Sequence, residues 1–355
     1  MERVLVINPG STSTKIAVFD GEEEIFTETI RHDSNELSRF DKITDQYDFR
    51  SDIIKDALEK QGIAPDSFDV VIGRGGLLKP VPGGVFAVNE QMISDLRQGV
   101  SGQHASNLGG LIAHEIAEAS HAPSLIADPV VVDEMEEVAK ISGHPELPRI
   151  SIFHALNQKA VARKAAAELK RSYEEINLIV AHMGGGISVG AHIKGKVADV
   201  NNALNGEGPF SPERSGTLPA GQLVELCFSG KYGKKEIMRM LKGQGGYMAY
   251  LGTADGREVQ QRMESGDEHA GLIFRAMVYQ VAKEIGALSS VMKGGVDGIV
   301  LTGGLAYSQK MVEKIEERIG FLGRVFVYPG EGEIEALRDS ALRVLRKETV
   351  AQNYL

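Results

Sequence analysis

Three short segments place glycines and small hydroxyl residues where a strand would turn. They are Asn8-Pro9-Gly10-Ser11-Thr12-Ser13-Thr14-Lys15, His182-Met183-Gly184-Gly185-Gly186-Ile187-Ser188 and Thr302-Gly303-Gly304-Leu305. Turns of this kind expose main-chain N–H groups in a concave array that accepts an anion, and small side chains let a phosphate approach closely. A glycine turn between strands is also common in proteins that bind nothing, so each segment alone says little. In combination they describe loops that would handle the phosphates of a nucleotide. There is no Walker A sequence and no complete G-x-G-x-x-G after a strand, which disfavours the P-loop and Rossmann solutions.

The elements that must position these loops follow from periodicity. Residues 3–7 form an apolar strand, 15–20 a second and the stretch after the acidic turn at Glu22 a third, so the first loop sits in a β-hairpin. Residues 52–61 read as an amphipathic helix closed by Gly62, the string FDVVIGRGG as a buried strand running into glycines, and 106–121 as a further helix. The apolar run SLIADPVVVDEM is broken by Asp128-Pro129, and a long helix is expected over about 154–171. The strand, glycine turn, strand pattern then recurs in INLIVAHMGGGISVGAHIKGKVADV, so the chain reads as two variants of one unit. A helix-rich stretch over 222–292, the strand of VDGIVLTGGLAY, the short strand FVYPG and a last helix over 333–347 complete the pattern.

At 355 residues the chain exceeds the size at which one core usually keeps growing, so two domains are expected, with a boundary near 150. No apolar run approaches the ~18 residues that span a membrane, and the start MERVLVINPG lacks the features of a signal peptide. The single Cys227 cannot form an intramolecular disulfide, its setting LVELCFSG reads as the end of a buried helix, and a reducing, cytoplasmic setting fits. A net charge of -10 argues against a broad nucleic-acid surface, while the acidic runs Glu22 to Glu24 and Glu134 to Glu137 read as solvated.

The strings INPGSTSTK, GRGG, GQHASNLG, IADPVVVDEM, SIFHALNQK, AHMGGGIS, NNALNGEGPFSPERSGTLP and LTGGLA together resemble the acetate kinase family, in its butyrate kinase branch, which includes branched-chain acid kinases. The resemblance runs nearly end to end. Pro9 after the first-loop asparagine, Gly184-Gly185-Gly186-Ile187-Ser188 in the second loop and Thr217-Leu218-Pro219 after Arg214-Ser215-Gly216 depart from acetate kinase itself. The resemblance implies a two-domain α/β fold of the actin-like ATPase (ribonuclease H-like) class. It has a duplicated core of five-stranded mixed sheets, and nucleotide and acid meet in an interdomain cleft. The domains would be 1–150 plus about 334–355 on the acid and phosphate side, and 151–333 on the nucleotide side.

It also implies the reaction: reversible phosphoryl transfer between ATP and butyrate, isobutyrate or a similar short-chain acid, giving acyl phosphate and ADP with Mg²⁺. Such a transfer asks for neutralised charge rather than a base, since a carboxylate is already a nucleophile. By resemblance, Arg74 lies at the acid carboxylate, with His104 also on the substrate side. Arg214 and His154 lie at the transferring phosphoryl group, and Asp128 matches the catalytic aspartate. An arginine fork suits two oxygens of a planar acceptor as lysine does not. Asn8 and Glu333 are placed at the metal, with Glu331 as the alternative to Glu333. Asn8, Gly10, Ser11, Thr12, Lys15, His182, Gly184, Gly185 and Gly186 would handle phosphates, and Asp255 and Arg257, together with Gly303 and Gly304, the base and ribose. A homo-oligomer is implied by the relatives.

Plainer readings stand beside these. Asp128 before Pro129 also reads as a turn initiator, Arg214 as a helix-flanking charge and His154 as a satisfied core histidine. His114, His121 and His144 are read as structural. A nucleotide-binding switch of the same superfamily, and a sugar kinase using Asp128 as base, are the other functions the pattern allows.

Overall fold

Val4, Leu5, Val6 and Ile7 have no solvent exposure at all, which is the burial of a strand covered on both faces. They lie in β1 (Arg3–Pro9), followed by β2 (Ser13–Asp20), β3 (Glu23–Arg31), β4 (Val70–Arg74), β5 (Val85–Ala87) and β6 (Ser124–Ala127). After these come β7 (Asn177–Met183), β8 (Ile187–Ile193), β9 (Lys196–Val200), β10 (Gly298–Gly303), β11 (Val325–Pro329) and β12 (Gln352–Asn353). The computed structural model describes residues 2–355. The chain divides into two compact units, one running to Val132 and joined by Gly332–Leu355, the other Asp133–Glu331.

The sheet of the first unit has the order β12-β5-β6-β4-β1-β2-β3, and that of the second the order β11-β10-β7-β8-β9. The run β3-β2-β1-β4-β6 and the run β9-β8-β7-β10-β11 match in order and sense. In each, the three strands of the hairpin region pair antiparallel and the next two join in parallel. Even the register shift falls at the same pairing, between Val18 and Phe19 and between Ala191 and His192. The duplication read from the sequence is therefore real. β5 and β12 extend the first sheet beyond the five strands expected of it.

Two helices set the working edge of the first sheet. Helix Asn107–Ser120 presses so closely on β4 that a Cβ on Gly73 would come 2.1 Å from the Gly109 carbonyl oxygen, and one on Gly109 2.4 Å from that of Arg74. Only glycine permits this approach. Helix Glu333–Leu345 lies on β1 and β4 and buries Ile334, Leu337, Ala341 and Leu342, a helical stripe. Its first residue, Glu333, is thereby delivered to the first unit. In the second unit, helix Glu268–Ser289 covers β7 and β8 through Phe274, Met277, Val281 and Ile285, and helix Ala155–Glu168 packs against β7 and β10.

Several sequence expectations are corrected. Residues 133–150, expected with the first domain, pack on the second unit: Glu136 N–H donates to the Ala198 carbonyl at 2.9 Å, and Arg149 reaches Asp199 at 2.8 Å and the Val200 carbonyl at 3.0 Å. Glu134 is not solvated, because its carboxylate accepts from the buried Lys159 ammonium at 2.7 Å and from Val197 N–H at 2.9 Å. Cys227 is exposed, not buried. Its helix, Ala220–Phe228, is apolar in composition yet buries no residue. Among the described residues no helix is long and apolar enough to cross a membrane.

Candidate active site

The carboxyl ends of β1, β4 and β6 bring Asn8, Arg74 and Asp128 to one edge of the first sheet, the edge at which parallel α/β sheets bind ligands. Arg74 Nη2 pairs with Glu333 Oε1 at 3.0 Å, Asn8 Nδ2 donates to Glu333 Oε2 at 2.8 Å, and Arg74 Nη1 approaches Asn8 Oδ1 at 3.4 Å. Three residues far apart in sequence thus meet around one carboxylate. Asp128 is buried at φ +36°, with Oδ1 accepting from Gly84 N–H at 2.7 Å, so its side chain fastens the loop before β5. His104 Nδ1 accepts from Ser106 N–H at 3.2 Å, in a turn that leads to Asn107, whose Oδ1 accepts from Leu77 N–H beside the Arg74 loop at 2.8 Å.

The first glycine loop is closed by Gly10 N–H donating to the Ser13 carbonyl at 2.7 Å; Ser11 and Thr12 are exposed, and Lys15 stands on β2 opposite Asn8. Arg50, which the sequence reading passed over, holds the loop from inside. Its guanidinium donates to the carbonyls of Gly10 at 2.8 Å, Ser13 at 3.1 Å and Ser11 at 3.1 Å, and to Gln46 Oε1 at 2.9 Å. The residue is fully buried, and burial pulls its pKa down to about 10.

In the second unit the Gly184-Gly185-Gly186 turn is closed by Gly184 N–H donating to the Gly186 carbonyl at 3.0 Å. Arg214 lies across it, and a Cβ on Gly186 would sit 1.9 Å from Arg214 Nη1. Ser211 ties the two together, with Oγ donating to the Gly185 carbonyl at 2.6 Å and accepting from Arg214 N–H at 3.1 Å. Arg214 Nη1 donates to the Ala203 carbonyl at 2.6 Å. Burial lowers its pKa, only partly offset by the charge of Glu213. A cation so placed gains from an arriving anion. His154, just before helix Ala155–Glu168, stacks on His182 of β7 with ring centres 3.8 Å apart and planes 11° apart.

A cavity of about 890 Å³ opens in this unit, lined by Gly184, Gly185, Asp255, Arg257 and Gly304 among others. Five residues expected to bind the cofactor therefore converge, while Gly186 and Gly303 lie outside the lining. Asp255 caps helix Gly256–Glu264 and its side chain bonds Arg257 at 2.8 Å, which with the main-chain N–H of Arg257 pulls the Asp255 pKa to about 2. Leu305, Tyr307 and Phe274 complete apolar walls that were not foreseen, because they come from elements whose patterning signals only core or loop.

For a divalent ion, the chemistry of the donor set decides. Glu333 and Asn8 offer a carboxylate and an amide oxygen, hard donors suited to Mg²⁺. Arg74 already offsets the carboxylate charge, and among the described residues no group of three acidic, histidine or cysteine side chains could hold a metal. The pair fits an ion that keeps most of its waters and arrives with nucleotide phosphates. Glu331 is exposed, and its main-chain carbonyl accepts a hydrogen bond from Asn157 Nδ2.

The sequence model of the acetokinase family matches residues 148–327. The chain belongs to the acetokinase family. The fold is that of solved members. Acetate kinase from Porphyromonas gingivalis superposes with a TM-score of 0.81 at 20% identity, covering 97% of this chain and 100% of that one. A propionate kinase from Francisella tularensis subsp. tularensis SCHU S4 gives 0.76 at 19% identity, covering 96% and 99%. Acetate kinase from Entamoeba histolytica gives 0.76 at 17% identity, covering 95% and 98%. This acetokinase has the actin-like ATPase fold. As a family member it is a short-chain acid kinase that uses ATP and transfers phosphoryl to a carboxyl group.

Proposed function

We propose that this acetokinase interconverts ATP and butyrate, or a branched acid of similar size such as isobutyrate, with ADP and the acyl phosphate. The observation that carries the acceptor side is the grip of Arg74 on a carboxylate, that of Glu333, at 3.0 Å. The guanidinium holds the functional group that the substrate would bring. The departures from the acetate kinase pattern at Pro9, in the Gly184-Gly185-Gly186 turn and at Thr217 support the longer acid.

In this reading the acid replaces Glu333 on Arg74, and a carboxylate oxygen attacks the γ-phosphorus of ATP as the bond to the ADP oxygen breaks. No proton has to be removed from the acceptor. Arg214, clamped over the second glycine turn, meets the charge spread over the equatorial phosphoryl oxygens, and His154 adds a hydrogen bond. The cavity bounded by Gly184, Gly304 and Asp255 takes the nucleotide. Asn8 and Glu333 would hold Mg²⁺, which would supply neutralisation of phosphate charge. Asp128 acts by holding the loop at Gly84 in place beside the end of β6.

Trapping with hydroxylamine tests the assignment. With ATP and Mg²⁺, butyrate and isobutyrate should yield the hydroxamate and glycerol none; ADP release with glycerol in place of an acid would instead indicate a hydroxyl acceptor.

A further inference from the structure

Behind His154 runs a buried line of polar groups whose donor and acceptor roles can be fixed one by one. Gln158 Nε2 lies 3.0 Å from the main-chain carbonyl of Ser188 and 2.8 Å from Ser188 Oγ. A carbonyl only accepts, so the amide orientation is settled and Gln158 Oε1 faces the other way. There it meets His192 Nε2 at 2.9 Å, which must carry hydrogen. His192 Nδ1 lies 2.6 Å from the Tyr173 hydroxyl. Complete burial, with Lys159 and Arg163 nearby, keeps His192 neutral, so Nδ1 accepts and the Tyr173 hydroxyl donates.

At the other end, Ser188 Oγ accepts from Gln158 Nε2 and, at 3.5 Å, from the main-chain N–H of His154. Both its lone pairs are engaged. The only group left to make its 2.8 Å contact with His154 Nδ1 is its own hydrogen. We propose that Tyr173, His192, Gln158 and Ser188 form a positioning relay that locks His154 in the tautomer with its hydrogen on Nε2. The ring then offers a neutral hydrogen-bond donor to the transferring phosphoryl group, a role that rests on the reading of His154 given above.

The stacked partner is set the opposite way. Asn157 Nδ2 donates to the Glu331 carbonyl, so its Oδ1 faces His182 Nδ1 at 2.7 Å and that nitrogen carries the hydrogen. The two parallel imidazoles thus carry hydrogen on unlike nitrogens, His182 on Nδ1 through Asn157 directly and His154 on Nε2 through Ser188, itself set by Gln158.

Nitrogen-15 NMR of the full chain, labelled at histidine and assigned by loss of signals in His154→Gln, reads the tautomers directly. His154 should show the Nε2–H pattern and His182 the Nδ1–H pattern; Nδ1–H at His154 overturns the relay. Gln158→Glu removes the donor to Ser188, so the Ser188 hydroxyl turns to the new carboxylate and His154 should switch to Nδ1–H, with kcat falling about 10- to 100-fold. Ser188→Ala should give mixed tautomers and a similar fall, and supplies the test if the first variant does not fold. Retention of a single Nε2–H form in both variants contradicts the proposal. Mixed tautomers with unchanged kcat would leave the relay standing and remove His154 from the chemistry.

Discussion

Arg74 and Glu333 form an ion pair with Nη2 and Oε1 3.0 Å apart, and Asn8 holds the second Glu333 oxygen at 2.8 Å. Arg74, proposed to hold the acid, therefore already has a carboxylate partner within the protein. A charge-assisted hydrogen bond to a bound carboxylate contributes about 1.5–3 kcal/mol, so Arg74→Ala should raise the KM for the acid by about 10- to 100-fold. Nucleotide KM should change little, and Arg74→Lys should not restore affinity, because the lysine lacks the fork. An unchanged acid KM in Arg74→Ala would move this residue out of the site.

Arg214 is held over Gly186 by a hydrogen bond from its Nη1 to the main-chain carbonyl of Ala203 at 2.6 Å. Its charge is free to be used as the phosphoryl group moves, so Arg214→Ala should lower kcat by ~100-fold or more, with nucleotide affinity nearly intact. Gly186→Ala places a methyl where the guanidinium lies and should reproduce much of that loss while Arg214 is still present. Normal turnover in a folded Gly186→Ala enzyme would show that the observed arginine position is not the working one.

Arg50 donates to three loop carbonyls from a fully buried position. Arg50→Met keeps the length but strands those acceptors, and should cost about 3 kcal/mol or more of stability. Urea unfolding measures it. A loss below about 1 kcal/mol would mean that water replaces the guanidinium and the loop does not depend on it.

His32 packs beside this loop, with Nε2 2.9 Å from Thr14 Oγ1 and Nδ1 buried without a partner. Burial, aided by the charge of Arg50, lowers its pKa from 6.5 to about 4. As pH falls below 6.5 the unfolded chain binds a proton that the folded ring refuses. The fold is therefore at full strength above that pH and loses stability as pH falls toward 4. His32→Gln, in which the amide has no such titration, should show a flatter dependence over the same window in denaturant unfolding. An identical slope would place the acid sensitivity elsewhere.

The hairpin β1–β2 and its repeat β7–β8 were legible because apolar strands flanking glycine turns are local signals, written within a dozen residues. Arg74, His154 and Arg214 reached the candidate site through motif resemblance and could not have been ranked by periodicity. Arg50 was illegible for a physical reason: it sits in an ordinary amphipathic helix, Tyr47–Lys60, and its partners are carbonyls of a distant loop. The same holds for Gln158 and His192, whose roles depend on pairing between Ser188, Tyr173 and a helix that only the fold brings together. The apolar helix around Cys227 misled in the other direction, since composition alone does not say whether a neighbour covers it.

A carboxylate acceptor of about four carbons sets a definite profile of kcat/KM across the straight acids from acetate to hexanoate, with isobutyrate. Carboxylate and phosphoryl contacts are common to the series, so only the alkyl pocket discriminates. Two additional buried methylenes at ~0.8 kcal/mol each give about 1.6 kcal/mol, or roughly a 15-fold preference for butyrate over acetate. A maximum at butyrate or isobutyrate of that order is the predicted result. Equal or higher kcat/KM for acetate would contradict it and make this acetokinase an acetate kinase in function.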